Sequence, residues 1–129
     1  MKQYTRYIGF DVSAETIVIA EARPGRDRAR DLGTIPYRLE SVTPWVRRQP
    51  DASTLLICYE AGPTGFGLAR HLLRLGVTCE VIAPGFMPHR ATDHVKTDRR
   101  DARNLAEDLR ADSLTAVHLP SEDEEAFRD

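Results

Sequence analysis

Two apolar runs separated by a helical pattern constrain this chain more than any other feature. Residues 53–60 (Ser-Thr-Leu-Leu-Ile-Cys-Tyr-Glu) and residues 77–83 (Val-Thr-Cys-Glu-Val-Ile-Ala) read as strands of the kind buried on both faces of a parallel sheet. Between them, Gly62-Pro63-Thr64-Gly65 opens a helix that runs to about Leu75, with Phe66, Leu68, Ala69, Leu72 and Leu73 apolar. Gly76 follows as the residue that can take a left-handed conformation past the helix end. A strand, a helix and a second buried strand make an α/β unit, and the rest of the chain has to be built around it.

Upstream, residues 7–12 form an apolar strand interrupted by one acid, and Ser13-Ala14-Glu15 gives a tight turn. Residues 16–22 are rich in β-branched side chains, and Pro24-Gly25 followed by alternating charges marks a second turn. Residues 30–37 form a third strand, edge-like because Pro36 cannot donate to a ladder. Short connections make these three an antiparallel meander. Residues 39–48 place Leu39, Val42, Trp45 and Val46 at helical spacing, with Pro44 near the first turn and Trp45 in the core. Downstream, residues 85–96 show no period and read as a loop long enough to be functional, and residues 97–111 read as a helix. Residues 114–119 are a short strand or an extended segment, and Pro120-Ser121 starts another helix. The expected fold is α/β, in the order βββαβαβα, with a mixed five-stranded sheet flanked by helices.

With 129 residues, 41% of them hydrophobic and 29% charged, the chain is expected to form one folded domain rather than a disordered segment. It has no run of about 18 apolar residues and no signal-peptide core, so no membrane association and a cytoplasmic location are expected. Cys58 and Cys79 sit singly in apolar runs and read as reduced core thiols, since no spacing suits zinc. The net charge of -2 argues neither for nor against nucleic acid. Its distribution says more. Residues 121–129 are strongly acidic, which leaves the remainder net basic, with much of that character between His89 and Arg103.

The acids raise the functional question. Asp98 and Asp101 are three residues apart in Lys96-Thr97-Asp98-Arg99-Arg100-Asp101-Ala102. At about 100° per residue, a helix starting at Thr97 puts both on the side of Ala102, Leu105 and Leu109, while Arg99, Arg103, Glu107 and Arg110 point away. Helix capping by Thr97 or Asp98, with Asp101 in the first turn, accounts for one acid but not for two on the sheet-facing side. Asp11 lies within a strand between Phe10 and Val12, where an unpaired carboxylate is costly. Glu60 ends an apolar strand, and alone it reads as a polar residue meeting water. In open α/β sheets, however, ligands gather at the carboxyl ends of strands. Four converging carboxylates would repel one another, and divalent cations such as Mg²⁺ or Mn²⁺ relieve this with an all-oxygen ligand set. Two such ions about 3.5–4 Å apart suit phosphodiester cleavage or transfer.

At this point the chain resembles a known family. Ile8-Gly9-Phe10-Asp11-Val12-Ser13, Tyr59-Glu60-Ala61-Gly62-Pro63-Thr64-Gly65, Val81-Ile82-Ala83-Pro84 and Lys96 to Ala102 are similar, in that order, to the N-terminal domain of the DEDD transposases. These are the insertion-sequence one-ten family, related to Piv-type DNA invertases. The resemblance covers nearly the whole chain. It implies a RuvC-like, RNase H-like fold over residues 1–120, with 121–129 the start of a following helix in a longer protein. It implies that Asp11, Glu60, Asp98 and Asp101 are both catalytic acids and ligands of two Mg²⁺ (or Mn²⁺) ions. It further implies DNA recombination in insertion-element transposition, a structured noncoding guide RNA, and a homo-oligomer formed through the full-length protein. Relatives continue into a domain with a nucleophilic serine, so this chain is expected to be a part of such a protein.

Lys96, Arg99 and Arg100 are the candidate nucleic-acid contacts, against a solvated helix face for Arg103 and Arg110. His89 and His94 read as surface histidines, with phosphate contact or proton transfer as the alternative. Ser13 and Thr64 are accounted for by turn and cap roles. Two other readings compete. One is a non-catalytic nucleic-acid-binding or oligomerisation module that keeps the fold. The other is an actin-like nucleotide-binding lobe, which shares a Gly-x-Asp first strand but needs a second lobe.

Overall fold

In the computed structural model, the described residues are 3–62, 65–87, 96–98 and 100–121, with the backbone alone for 85–87 and 96–98. Strands β1 (Arg6–Val12), β2 (Thr16–Ala22) and β3 (Arg30–Pro36) form the antiparallel meander. Helix α1 (Leu39–Arg47) and a short 3₁₀ turn lead to β4 (Leu55–Glu60), then α2 (Gly67–Arg74) and β5 (Thr78–Ile82). The five strands lie in the order β3-β2-β1-β4-β5, with β4 parallel to both β1 and β5. A mixed five-stranded sheet with three flanking helices in this order is an RNase H-like fold.

Side chains alternate across the sheet and sort into two cores. On one face, Ile8, Phe10, Ile17, Ile19, Leu55, Ile57, Tyr59 and Val81 pack with Val42, Trp45 and Val46 of α1 and Leu68, Ala69 and Leu72 of α2. Trp45 is in that core, edge-on to Phe10 with ring centroids 5.6 Å apart. Pro44 falls in the middle of α1 rather than its first turn, on the exposed side where a missing N–H is tolerated. On the opposite face, Leu56, Cys58 and Ile82 pack against Leu105 and Leu109 of a third helix, α3 (Ala102–Arg110). That helix can approach so closely because residue 9 is glycine. A Cβ there would press on the carbonyl oxygen of Ala102 and lie 2.8 Å from both the Ala106 amide nitrogen and Leu105 Cβ.

The segment before α3 departs from the sequence expectation. The loop expected over 85–96 begins as strand β6 (Gly85–Met87), which pairs antiparallel with β7 (Lys96–Asp98). The helix expected from Thr97 starts only at Ala102, because Asp101 takes an extended backbone conformation and caps it. Residues 88–95, with His89 and His94, lie outside the described residues, as do Pro63, Thr64, Arg99 and 122–129. The expected extended segment adds to the sheet edge: Ala83 N–H donates to Thr115 O, and Val117 N–H donates to Val81 O, both at 2.8 Å. Among the described residues no helix is long and apolar enough to cross a membrane.

Candidate functional site

The last register pair between β1 and β4 is Phe10 opposite Tyr59. Asp11 and Glu60 each follow by one residue, so they occupy matching positions at the carboxyl ends of adjacent parallel strands. Alternation turns both away from the Phe10 and Tyr59 core, onto the face of Gly9 and Cys58 that α3 covers. Both are half-buried. Tyr59 steadies the chain just after Glu60. Its hydroxyl donates to Gly65 O at 3.1 Å and accepts from the Ala69 N–H at 3.2 Å.

The start of α3 meets this pair of strand ends. The Arg100 N–H donates to Glu60 Oε1 at 2.8 Å, and Arg100 Nη1 donates to Oε2 at 3.1 Å. Arg100 Nε also lies 3.6 Å from Asp108 Oδ2, so its guanidinium is shared between two acids. Asp101 is exposed, and its Oδ1 accepts the Asn104 N–H at 2.8 Å, as an N-cap does. Asp98 and Asp101 therefore do not share a helical face, which corrects the sequence expectation. Asp98 is in β7, whereas Asp101 is the cap of α3. The rest of the expected sheet-facing side is as drawn, since Ala102, Leu105 and Leu109 are all buried.

Glu60, Arg100 and Asp101 are thus gathered at the α3 N-terminus, with Asp11 on the neighbouring strand. Lys96 and Asp98 belong to β7, of which only the backbone is described, and Arg99 lies outside the described residues. Among the described residues, no three His, Cys, Asp or Glu side chains form a metal-holding group. The donor chemistry nevertheless fits a hard cation: the acids supply only oxygen, and Glu60 already holds positive charge in the form of the Arg100 guanidinium.

Other expected roles resolve simply. Ser13 closes the β1–β2 turn, with its Oγ donating to Thr16 O at 3.1 Å and accepting the Thr16 N–H at 3.2 Å. Cys58 and Cys79 are free thiols. Burial pushes Cys58 well above the usual thiol range, and burial followed by the nearby Glu80 pushes Cys79 up to about 12, so neither is poised as a nucleophile. Arg110 is not merely a solvated residue. Its Nη1 donates to the carbonyl oxygens of Arg23 and Asp27 at 2.9 and 2.6 Å, while Arg103 lies 3.4 Å from Asp31 on the surface.

Sequence reasoning missed one cluster entirely. Glu21 of β2 is 1% exposed and carries three arginines: Arg6 through Oε1, Arg30 through two bonds to Oε2 at 3.1 and 3.2 Å, and Arg23 at 3.6 Å. The signal was present, since Glu21 is a lone acid in an apolar strand just as Asp11 is.

No family model matches the chain. Over 95% of its length it is 43% identical to "Putative transposase y4qE" of Sinorhizobium fredii. Over 95% of its length it is also 36% identical to "Transposase for insertion sequence element IS1533" of Leptospira borgpetersenii. The chain spans only 32% and 36% of the lengths of these two curated relatives, so it is similar to about a third of each transposase.

Proposed function

We propose that this chain is the metal-dependent DNA strand-cleaving and strand-transferring domain of an insertion-element transposase. The observation that carries the reading is the matched placement of Asp11 and Glu60 at the carboxyl ends of adjacent parallel strands, facing the N-terminus of α3. Similarity along nearly the whole chain to two proteins named as transposases supports it. In this reading Asp11, Glu60, Asp98 and Asp101 hold Mg²⁺ or Mn²⁺. When bound, a pair of such ions supplies charge stabilisation to the attacking and leaving oxygens of a phosphodiester. Arg100 then has two tasks. It holds the Glu60 carboxylate in place without metal, and with DNA present its guanidinium is free to pair with a phosphate, as Lys96 and Arg99 do. The family resemblance adds a structured guide RNA and a homo-oligomer formed through the full-length protein.

Calorimetric titration with Mn²⁺, paired with thermal melts, tests this. The intact chain is expected to bind the ion and melt higher, and Asp11→Ala is expected to abolish both effects. Absence of binding to the intact chain sinks the catalytic reading.

A second reading has one observation behind it. The Arg100–Glu60 pair already neutralises one of the acids, as a non-catalytic nucleic-acid-binding module would require. Nucleic-acid binding indifferent to chelator and to alanine at all four acids would favour that reading.

A further inference from the structure

The turn between β2 and β3 carries Arg23, Arg26, Arg28 and Arg30 against a single aspartate, Asp27, and all five are exposed. Like charges this dense repel one another, and a free loop would splay them into solvent. This loop is not free. Arg110 of α3 grips the carbonyl oxygens of Arg23 and Asp27, and the Ala29 N–H donates to Glu107 Oε2 at 2.7 Å. At its base, the buried Glu21 carboxylate fixes the head of Arg30 through two hydrogen bonds and draws in Arg23, yet leaves those side chains 67% and 64% exposed. Arg26 and Arg28 make no ion pair among the described residues. The backbone that carries them is held in place while their guanidiniums stay available, so the turn gives up little freedom on meeting a phosphate, which is what a polyanion site needs.

The turn also connects to the acidic site. A depression of about 220 Å³ lined by Arg28, Arg103, Asn104, Glu107 and Asp101 runs along α3. Its two acids are engaged within the protein, Asp101 as the helix cap and Glu107 with the Ala29 N–H. Arg28 and Asp101 thus line one and the same depression beside α3.

We infer that the Arg26/Arg28 turn, braced by α3, is a docking surface for the phosphate backbone of duplex DNA, holding one strand beside the acidic site. The inference deepens the proposed function and rests on it for the position of the scissile phosphate.

The test is fluorescence anisotropy of a labelled duplex of arbitrary sequence, titrated with the whole chain at several salt concentrations. Arg26→Gln/Arg28→Gln is expected to weaken binding about tenfold at low salt and to lower the salt slope by about two, roughly 0.9 for each phosphate left without its arginine. Arg47→Gln/Arg48→Gln, which removes the same charge from exposed positions at the end of α1 on the opposite face, is expected to leave the slope unchanged. Equal slopes for wild type and the Arg26/Arg28 variant overturn the inference, as does an equal drop in the α1 control or a wild-type chain that ignores duplex. Arginine-dependent binding confined to a structured RNA hairpin overturns it in favour of RNA. Arginine-dependent duplex binding without Mn²⁺ binding leaves the surface standing and removes the nuclease reading.

Discussion

Glu21 and Glu60 are glutamates of one sheet, placed at opposite ends of it and treated in opposite ways. Glu21 is wholly buried, and both of its oxygens are taken by guanidiniums from β1, β3 and the turn between. Burial alone would raise its carboxyl, but the hydrogen bond and charge of Arg6, then Arg30 and Arg23, hold it below the ordinary carboxylate value. Glu60 keeps 12% of its side chain exposed and is met by one backbone N–H and one guanidinium, which it shares with Asp108. A buried acid whose charge is fully met braces the fold. An acid at a strand end, held by a single shared arginine, can exchange that partner for another cation. Burial of a carboxylate therefore does not by itself mark a site, and the number and mobility of its partners does.

The largest effect expected from breaking this contrast is at Glu21. Glu21→Gln leaves the mostly buried Arg6 uncompensated and is expected to cost about 3 kcal/mol in urea unfolding. Glu60→Gln keeps an acceptor for the Arg100 N–H and is expected to cost about 1 kcal/mol. Equal losses would erase the distinction. The same contrast has a pH signature. Because the folded Glu21 carboxyl lies below its ordinary value of 4.5, its contribution is complete above that pH and fades as pH falls through the lowered value. Thermal melts of the wild type should show that acid-side loss, and melts of Glu21→Gln should not.

The next effect concerns how α3 reaches the strand ends. Gly9→Ala drives a methyl group into α3 backbone and is expected to destabilise by about 1–3 kcal/mol, read from the same unfolding curves. It should also weaken Mn²⁺ binding, since α3 carries Asp101 and positions Arg100 against Glu60. A neutral Gly9→Ala would mean that α3 sits further from β1 than described.

The smallest effect separates two roles of one residue. Asp101→Ala removes the cap and is expected to cost about 1 kcal/mol, whereas Asp101→Asn, an equally good cap, should cost almost nothing. If Asp101 also ligates metal, Asp101→Asn should still lose the Mn²⁺-dependent rise in melting temperature. A full rise in that variant would reduce Asp101 to a cap and narrow the proposed ligand set.

Much of the fold was legible because its signals are local. The β-branched run of β2, the apolar run of β4, the helical spacing of α1 and the glycine after α2 each act through neighbouring residues. Strands β2 and β4 and helix α1 lie within a residue or two of expectation, and α2 ends within one residue of it but starts only at Gly67, past the Gly62–Gly65 segment expected to open it. The start of α3 was misread for a related reason. Arg99 to Ala102 continue the helical pattern seamlessly, and only the extended backbone and capping bond of Asp101 end it. The β6–β7 pairing left no periodic signal, because three-residue strands are too short to carry one.

What the sequence determined by itself was the kind and order of the elements, and that acids interrupt two apolar strands and precede a helix. Which acid became a brace and which stayed at an open strand end was decided only in three dimensions. Glu21 and Asp11 look alike along the chain. Their difference comes from the arginines that β1 and β3 deliver to one, and from the register that sets the other beside Glu60 under α3. Charge compensation and desolvation depend on neighbours remote in sequence, so no local pattern can record them.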